Sequence, residues 1–152
     1  MRALFIVLHA IIVQSPAVTL VANPQRVHQV CGPGAFDACT LFVAYRLDMQ
    51  CSSAGGPAAM HGSVTFRPLI FAYDIRQIPH ELMHVDDVRL FALDYVKESE
   101  SLAFASPAEC DEAARRLTAG FGEKMREFAL RSNMLRHPSI YGRSTIPAAD
   151  GR

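Results

Sequence analysis

The sequence has no surplus of either charge, with 15 basic residues against 15 acidic ones in 152. That balance removes the global pull towards nucleic acid or anionic lipid, and neither is expected as a partner. No apolar run reaches the ~20 residues that a membrane-crossing helix needs. No Cys-x-x-Cys pair is present, which excludes a zinc knuckle. There is no Gly-x-Ser-x-Gly elbow and no phosphate-binding glycine loop, so serine hydrolase and nucleotide-binding readings have no support. No internal repeat occurs, linker-like stretches fall only at the two ends, and the length fits one domain.

What is present begins with a distinctive start. Met1-Arg2 is followed by an apolar run from Ala3 to Val13 broken only by His9, then Gln14-Ser15-Pro16, then Leu20-Val21-Ala22. A short positive start, an apolar stretch and a small-residue site read as a signal peptide over residues 1–22. Residues 23–152 then form the single domain, secreted or periplasmic, with no membrane attachment after cleavage. Four cysteines, Cys31, Cys39, Cys51 and Cys110, read as two disulfides in an exported chain. Three pairings are possible; the short loop through Gly32-Pro33-Gly34 favours Cys31 with Cys39 and leaves Cys51 for Cys110.

Thr40 to Met49 alternates, so Leu41, Val43, Tyr45, Leu47 and Met49 are expected on one face of a strand. A loop over 52–57 leads to a second strand between Ser63 and Tyr73, where Pro68 argues for an edge position. From Ile78 the period turns helical, with Pro79 suited to a first turn. Ser106-Pro107-Ala108-Glu109 then combines an N-cap serine, a first-turn proline and a capping-box glutamate, and starts a helix to about Leu135. Gly120 and Gly122 either weaken that helix or let another group approach it closely. The expected fold is α+β: a small antiparallel sheet followed by two long packed helices.

Chemistry concentrates in His80-Glu81-Leu82-Met83-His84, which fits the pattern H-E-x-x-H on the first of these helices. Spacing of i, i+4 points both imidazoles to one side, where they can hold a Zn2+ ion. Zinc lowers the pKa of a bound water, and Glu81, beside the first ligand, can take its proton as general base. The expected function is therefore that of a secreted zinc-dependent hydrolase. An alternative is a secreted zinc-stabilised binding module without turnover.

The pentapeptide, following a strand and lying on a helix, resembles the zincin metallopeptidases. A closer resemblance is to small secreted bacterial zinc-dependent proteases, which have a signal peptide, this motif and a later cysteine before a second helix. The likeness runs from about Thr40 to His137. It implies a peptidase acting on peptide or protein substrates, with the substrate backbone aligned along an edge strand before the metal-binding helix; the run from Ser63 to Tyr73 is similar.

A catalytic zinc needs a third protein ligand. The metzincin arrangement of a glycine and a third histidine soon after the motif is absent, since Val85 to Val96 contains neither. If the two helices form an antiparallel hairpin, counting back from the turn sets His80 and His84 opposite residues 121–125. Glu123 is then the first candidate, with Glu127 and His137 as rivals. Asp87 shares the face of both histidines and is either a solvated acid or a carboxylate that orients a ligand. His28 and His61 remain as isolated histidines, and Tyr141 and Arg143 as candidates to polarise a substrate carbonyl.

Overall fold

A computed structural model describes residues 10–32, 37–53 and 56–137 of the chain. Four strands, β1 (Ala10–Val13), β2 (Ala17–Leu20), β3 (Ala38–Ser52) and β4 (Ala59–Ala72), form one sheet. Three helices accompany it, α1 (Pro24–Cys31), α2 (Ile78–Glu100) and α3 (Pro107–Arg136), with a 3-10 turn over Ile75–Gln77 leading into α2. The α+β class and both long helices match expectation. The antiparallel sheet does not.

Only β3 runs antiparallel to β4, while β1 and β2 both pair with β4 in parallel. The two parallel strands lie end to end along the edge of β4 that β3 leaves free, against Ser63–Phe66 and Leu69–Ala72. They come from residues expected to form the leader. Short apolar runs suit a buried or half-buried strand as well as a leader, and local pattern does not separate the two. Ile11 and Val13 pack against the main core, and a chain cut after Ala22 would lack both strands. Residues 1–9 lie outside the described residues.

Strand β4 is therefore central, although Pro68 suggests an edge. The proline falls between the two parallel ladders, and across from it on β3 the register slips, with Leu41 opposite Leu69 and Ala44 opposite Arg67. Phe42 and Val43 thus stand against the single Pro68. A bulge at that point spares the ladder the donor that proline lacks. It also changes which residues of β3 face the helices. Thr40 and Phe42 reach α2 and the core before the bulge, and Tyr45, Leu47 and Met49 do so after it. The uniform alternation expected from Leu41 to Met49 is broken there.

Helix α2 presents Val85, Val88, Ala92, Tyr95 and Val96 to the sheet as a buried stripe at helical spacing. The Ser106 hydroxyl caps α3 by accepting from the Glu109 N–H at 3.2 Å, and the Glu109 carboxylate accepts from the Ala105 N–H at 2.8 Å. Phe121 and Met125 of α3 join Val64, Phe66 and Ile70 of β4 in the core. Helix α3 runs unbroken through Gly120 and Gly122; a Cβ at Gly122 would stand 1.8 Å from the Tyr45 hydroxyl, so this glycine admits the tyrosine against the helix.

Cysteines pair as Cys31–Cys39, which ties α1 to the start of β3, and Cys51–Cys110, which ties the end of β3 to the first turns of α3. Around the second bridge, Ala113 and Ala114 pack on Ala58 and Met60 in a separate apolar cluster. The start of α3 is thereby docked on the sheet, not on the end of α2. Both disulfides fit an extracellular or otherwise oxidising location. Among the described residues, no helix is long and apolar enough to cross a membrane.

Candidate metal centre

Because α3 begins on the sheet, it meets α2 further along than a simple helical hairpin would allow. The Tyr95 hydroxyl donates to the Leu117 carbonyl at 2.8 Å, Phe91 stacks on Phe128 with ring centres 4.8 Å apart, and Asp87 takes hydrogen bonds from Ser132 and Arg136. The residue brought to the start of α2 is then His137, at the C-cap of α3. Glu123 and Glu127 are exposed and lie outside the histidine cluster. The hairpin count places them opposite the motif only if helix contact begins at the turn.

His137 Nε2 lies 3.1 Å from His80 Nε2 and 3.2 Å from His84 Nε2. The rings of His80 and His84 meet edge to face at 5.0 Å, as their i, i+4 positions on α2 require. His80, His84 and His137 form a cluster that could hold a metal ion. Three nitrogens around a tetrahedral ion with bonds of 2.0–2.1 Å stand roughly 3.3 Å apart, close to the two separations found. A single ion satisfies all three rings, whereas a proton serves one nitrogen–nitrogen contact at a time.

The electrostatics suit ligation, which needs neutral imidazoles. Burial pushes His84 down to about 4, and the neighbouring His80, His137 and Arg136 add to the effect while Asp87 opposes it. His137 is lowered as well, first by burial and then by His80 and Arg136. Both shifts favour the uncharged ring that ligation needs.

Glu81, only 4% exposed, is one of two buried polar side chains among the described residues. Burial raises its pKa, and a hydrogen bond from Thr40 together with the charge of His80 works in the opposite direction. The Thr40 hydroxyl donates to Glu81 Oε2 at 2.7 Å. Glu81 and His84 line one pocket of about 300 Å³, with Thr40, Phe42, Leu130 and the Cys31–Cys39 disulfide among its other walls. A carboxylate with a raised pKa and a metal-capable cluster thus converge beside a cavity that is partly apolar.

Asp87 does orient something, but the contact is with an arginine. Its carboxylate accepts from Nε and Nη2 of Arg136 and from the Ser132 hydroxyl. His61 faces Ser52 at 3.2 Å and His28 sits in α1; neither belongs to the cluster. Tyr141 and Arg143 lie outside the described residues. Thr40, Ser132 and Arg136 had no sequence signal: each acquires its place from a bulge or a helix register. Compared with known proteins, the chain matches no family model, no curated protein and no solved structure.

Proposed function

We propose that the protein is a zinc-dependent hydrolase, and specifically a secreted or periplasmic peptidase, in which His80, His84 and His137 hold the metal and Glu81 is the general base. The observation that carries this reading is the convergence of three imidazole nitrogens beside a buried glutamate, on a helix with the H-E-x-x-H pattern. Three neutral nitrogen donors with a fourth position left to solvent or substrate are a donor set suited to catalytic zinc. Zinc bound there would act as a Lewis acid and acidify a water molecule.

The chain's own residues supply the rest. Glu81, held at Oε2 by Thr40, takes a proton from the attacking water and passes it to the leaving amine. Strand β3 pairs only with β4 among the described residues, so the backbone groups along its other edge beside the pocket can align an extended peptide. Phe42, Val88 and Leu130 offer apolar surface to a substrate side chain. This edge strand is β3, whereas the sequence pointed to the segment that became β4.

The test is hydrolysis of unfolded protein and of mixed peptides by the zinc-loaded chain and by Glu81→Gln. Turnover is expected in the first and a loss of at least about a hundredfold in the second, with zinc retained. Equal activity in both would exclude Glu81 as base, and no turnover with zinc bound would favour a binding module.

A further inference from the structure

The end of α3 that delivers His137 has almost nothing apolar to hold it. No residue of α3 after Met125 is buried, and after Ala129 none packs against the core. Leu130 and Leu135 are 58% and 68% exposed. Helix ends with few buried contacts open at little cost, yet His137 must sit within a few tenths of an ångström of its place for a metal to bind tightly.

A polar clamp on Asp87 fastens this end. Arg136 gives both Nε and Nη2 to the Asp87 carboxylate, and Ser132, one turn earlier, gives its hydroxyl to the same group. Two successive turns of α3 are thus tied to a single side chain of α2. Asp87 stands three residues after His84, so the clamp lies one helical turn from the ligands themselves. Only 18% of the Asp87 side chain and 28% of Arg136 remain exposed, so the pair is shielded better than an ordinary surface ion pair. The forked contact fixes the guanidinium in direction as well as distance, and the next residue in the chain is His137, whose backbone has already left the helix at φ −124° and ψ 55°.

We infer that Asp87 is a positioning residue for the third ligand: by clamping Arg136 and Ser132 it holds the end of α3 on α2, so that His137 meets His80 and His84, and it thereby sets the affinity of the site for metal. This rests on the metal-centre reading above. Asp87 is not itself a member of the histidine cluster. Its effect passes through the backbone from Arg136 to His137, and carboxylates acting at one remove from a metal commonly change affinity ten- to a hundredfold.

Zinc dissociation constants measured by competition with a chromophoric chelator test this in the full chain, for the wild type, Asp87→Asn, Arg136→Lys, His137→Ala and the double variant Asp87→Asn with His137→Ala. Asp87→Asn is expected to weaken zinc ten- to a hundredfold. Arg136→Lys, which keeps the charge and loses the fork, falls between it and the wild type. The double variant should bind no more weakly than His137→Ala alone, because the clamp has nothing left to position. General loosening of the fold would instead weaken the His80–His84 pair as well, and the two losses would multiply. Multiplying losses, or affinity in both Asp87→Asn and Arg136→Lys within twofold of the wild type while His137→Ala is weakened, overturns the inference and leaves the metal centre intact. Should Asp87→Asn not fold, Arg136→Lys and its combination with His137→Ala decide the matter by the same comparison. A wild-type chain that binds no zinc removes the metal centre, and this role for Asp87 with it.

Discussion

Thr40 and Glu81 are 41 residues apart in sequence and joined by a 2.7 Å hydrogen bond from hydroxyl to carboxylate. The contact exists because the β-bulge at Phe42–Val43 lets Thr40 face α2 while Tyr45, Leu47 and Met49 still face the helices further along. Burial alone would favour the protonated acid at Glu81, and Thr40 opposes that by donating to the ionised form.

Thr40→Val removes the donor at nearly constant volume, so Glu81 rises further above the ordinary carboxylate range. A general base works only when ionised, so the acidic limb of the kcat/KM profile is expected to move to higher pH. Activity at pH 7 should fall by roughly tenfold, from the loss of a hydrogen bond to a charged group. An unshifted acidic limb would show that Thr40 does not tune the base.

A second pH effect concerns stability without metal. His84 is held at about 4 in the folded protein against 6.5 for the unperturbed group. The folded state therefore binds fewer protons than the unfolded chain between these values. Stability is full above about 6.5 and is lost as pH falls towards 4. Thermal melts of chelator-treated protein should show Tm declining across this window, and His84→Gln should flatten the decline.

These local properties contrast with what the sequence could convey about placement. The starts of α2 and α3 were legible almost to the residue, because Pro79 and the Ser106 cap are local signals, whereas α1 was not expected. The Cys31–Cys39 and Cys51–Cys110 pairing followed from the same local reasoning. The sheet was not legible, since parallel pairing of Ala10–Val13 and Ala17–Leu20 with β4 joins segments some 50 residues apart, and Pro68 gave an edge signal that a bulge absorbs. The third histidine was a rival to Glu123 because helix register depends on where α3 starts. The docking of Ala113 and Ala114 on Met60, the Cys51–Cys110 bridge and the Ala58–Phe104 pairing fix that start, and all three are long-range.

The two bridges are expected to behave differently on removal. Cys51–Cys110 spans 59 residues and Cys31–Cys39 only 8. Chain-entropy arguments assign about 4 kcal/mol to the first and about 2.5 kcal/mol to the second. Serine replacement of Cys51 and Cys110 should therefore lower stability to denaturant more. Replacement of Cys31 and Cys39, which line the pocket, should mainly raise KM. The reverse order of stability losses would contradict this division.

Strands β1 and β2 add four paired residues each to β4, and Ile11 and Val13 pack on the core. A chain of residues 23–152 should be less stable than the full chain by at least about 3 kcal/mol. It should also self-associate, because the edge of β4 loses its cover. Denaturant unfolding and sedimentation of the two chains check this directly; equal stability would mean that the leader reading of residues 1–22 carries no structural cost.

The central claim is that three histidines from two helices form one metal site. Metal analysis of the purified chain after zinc supplementation, alongside His137→Ala, tests it most directly. One equivalent of zinc per wild-type chain, and its loss on dialysis from His137→Ala, is the predicted result. Less than about a tenth of an equivalent in the wild type, or zinc held equally by His137→Ala, would contradict it.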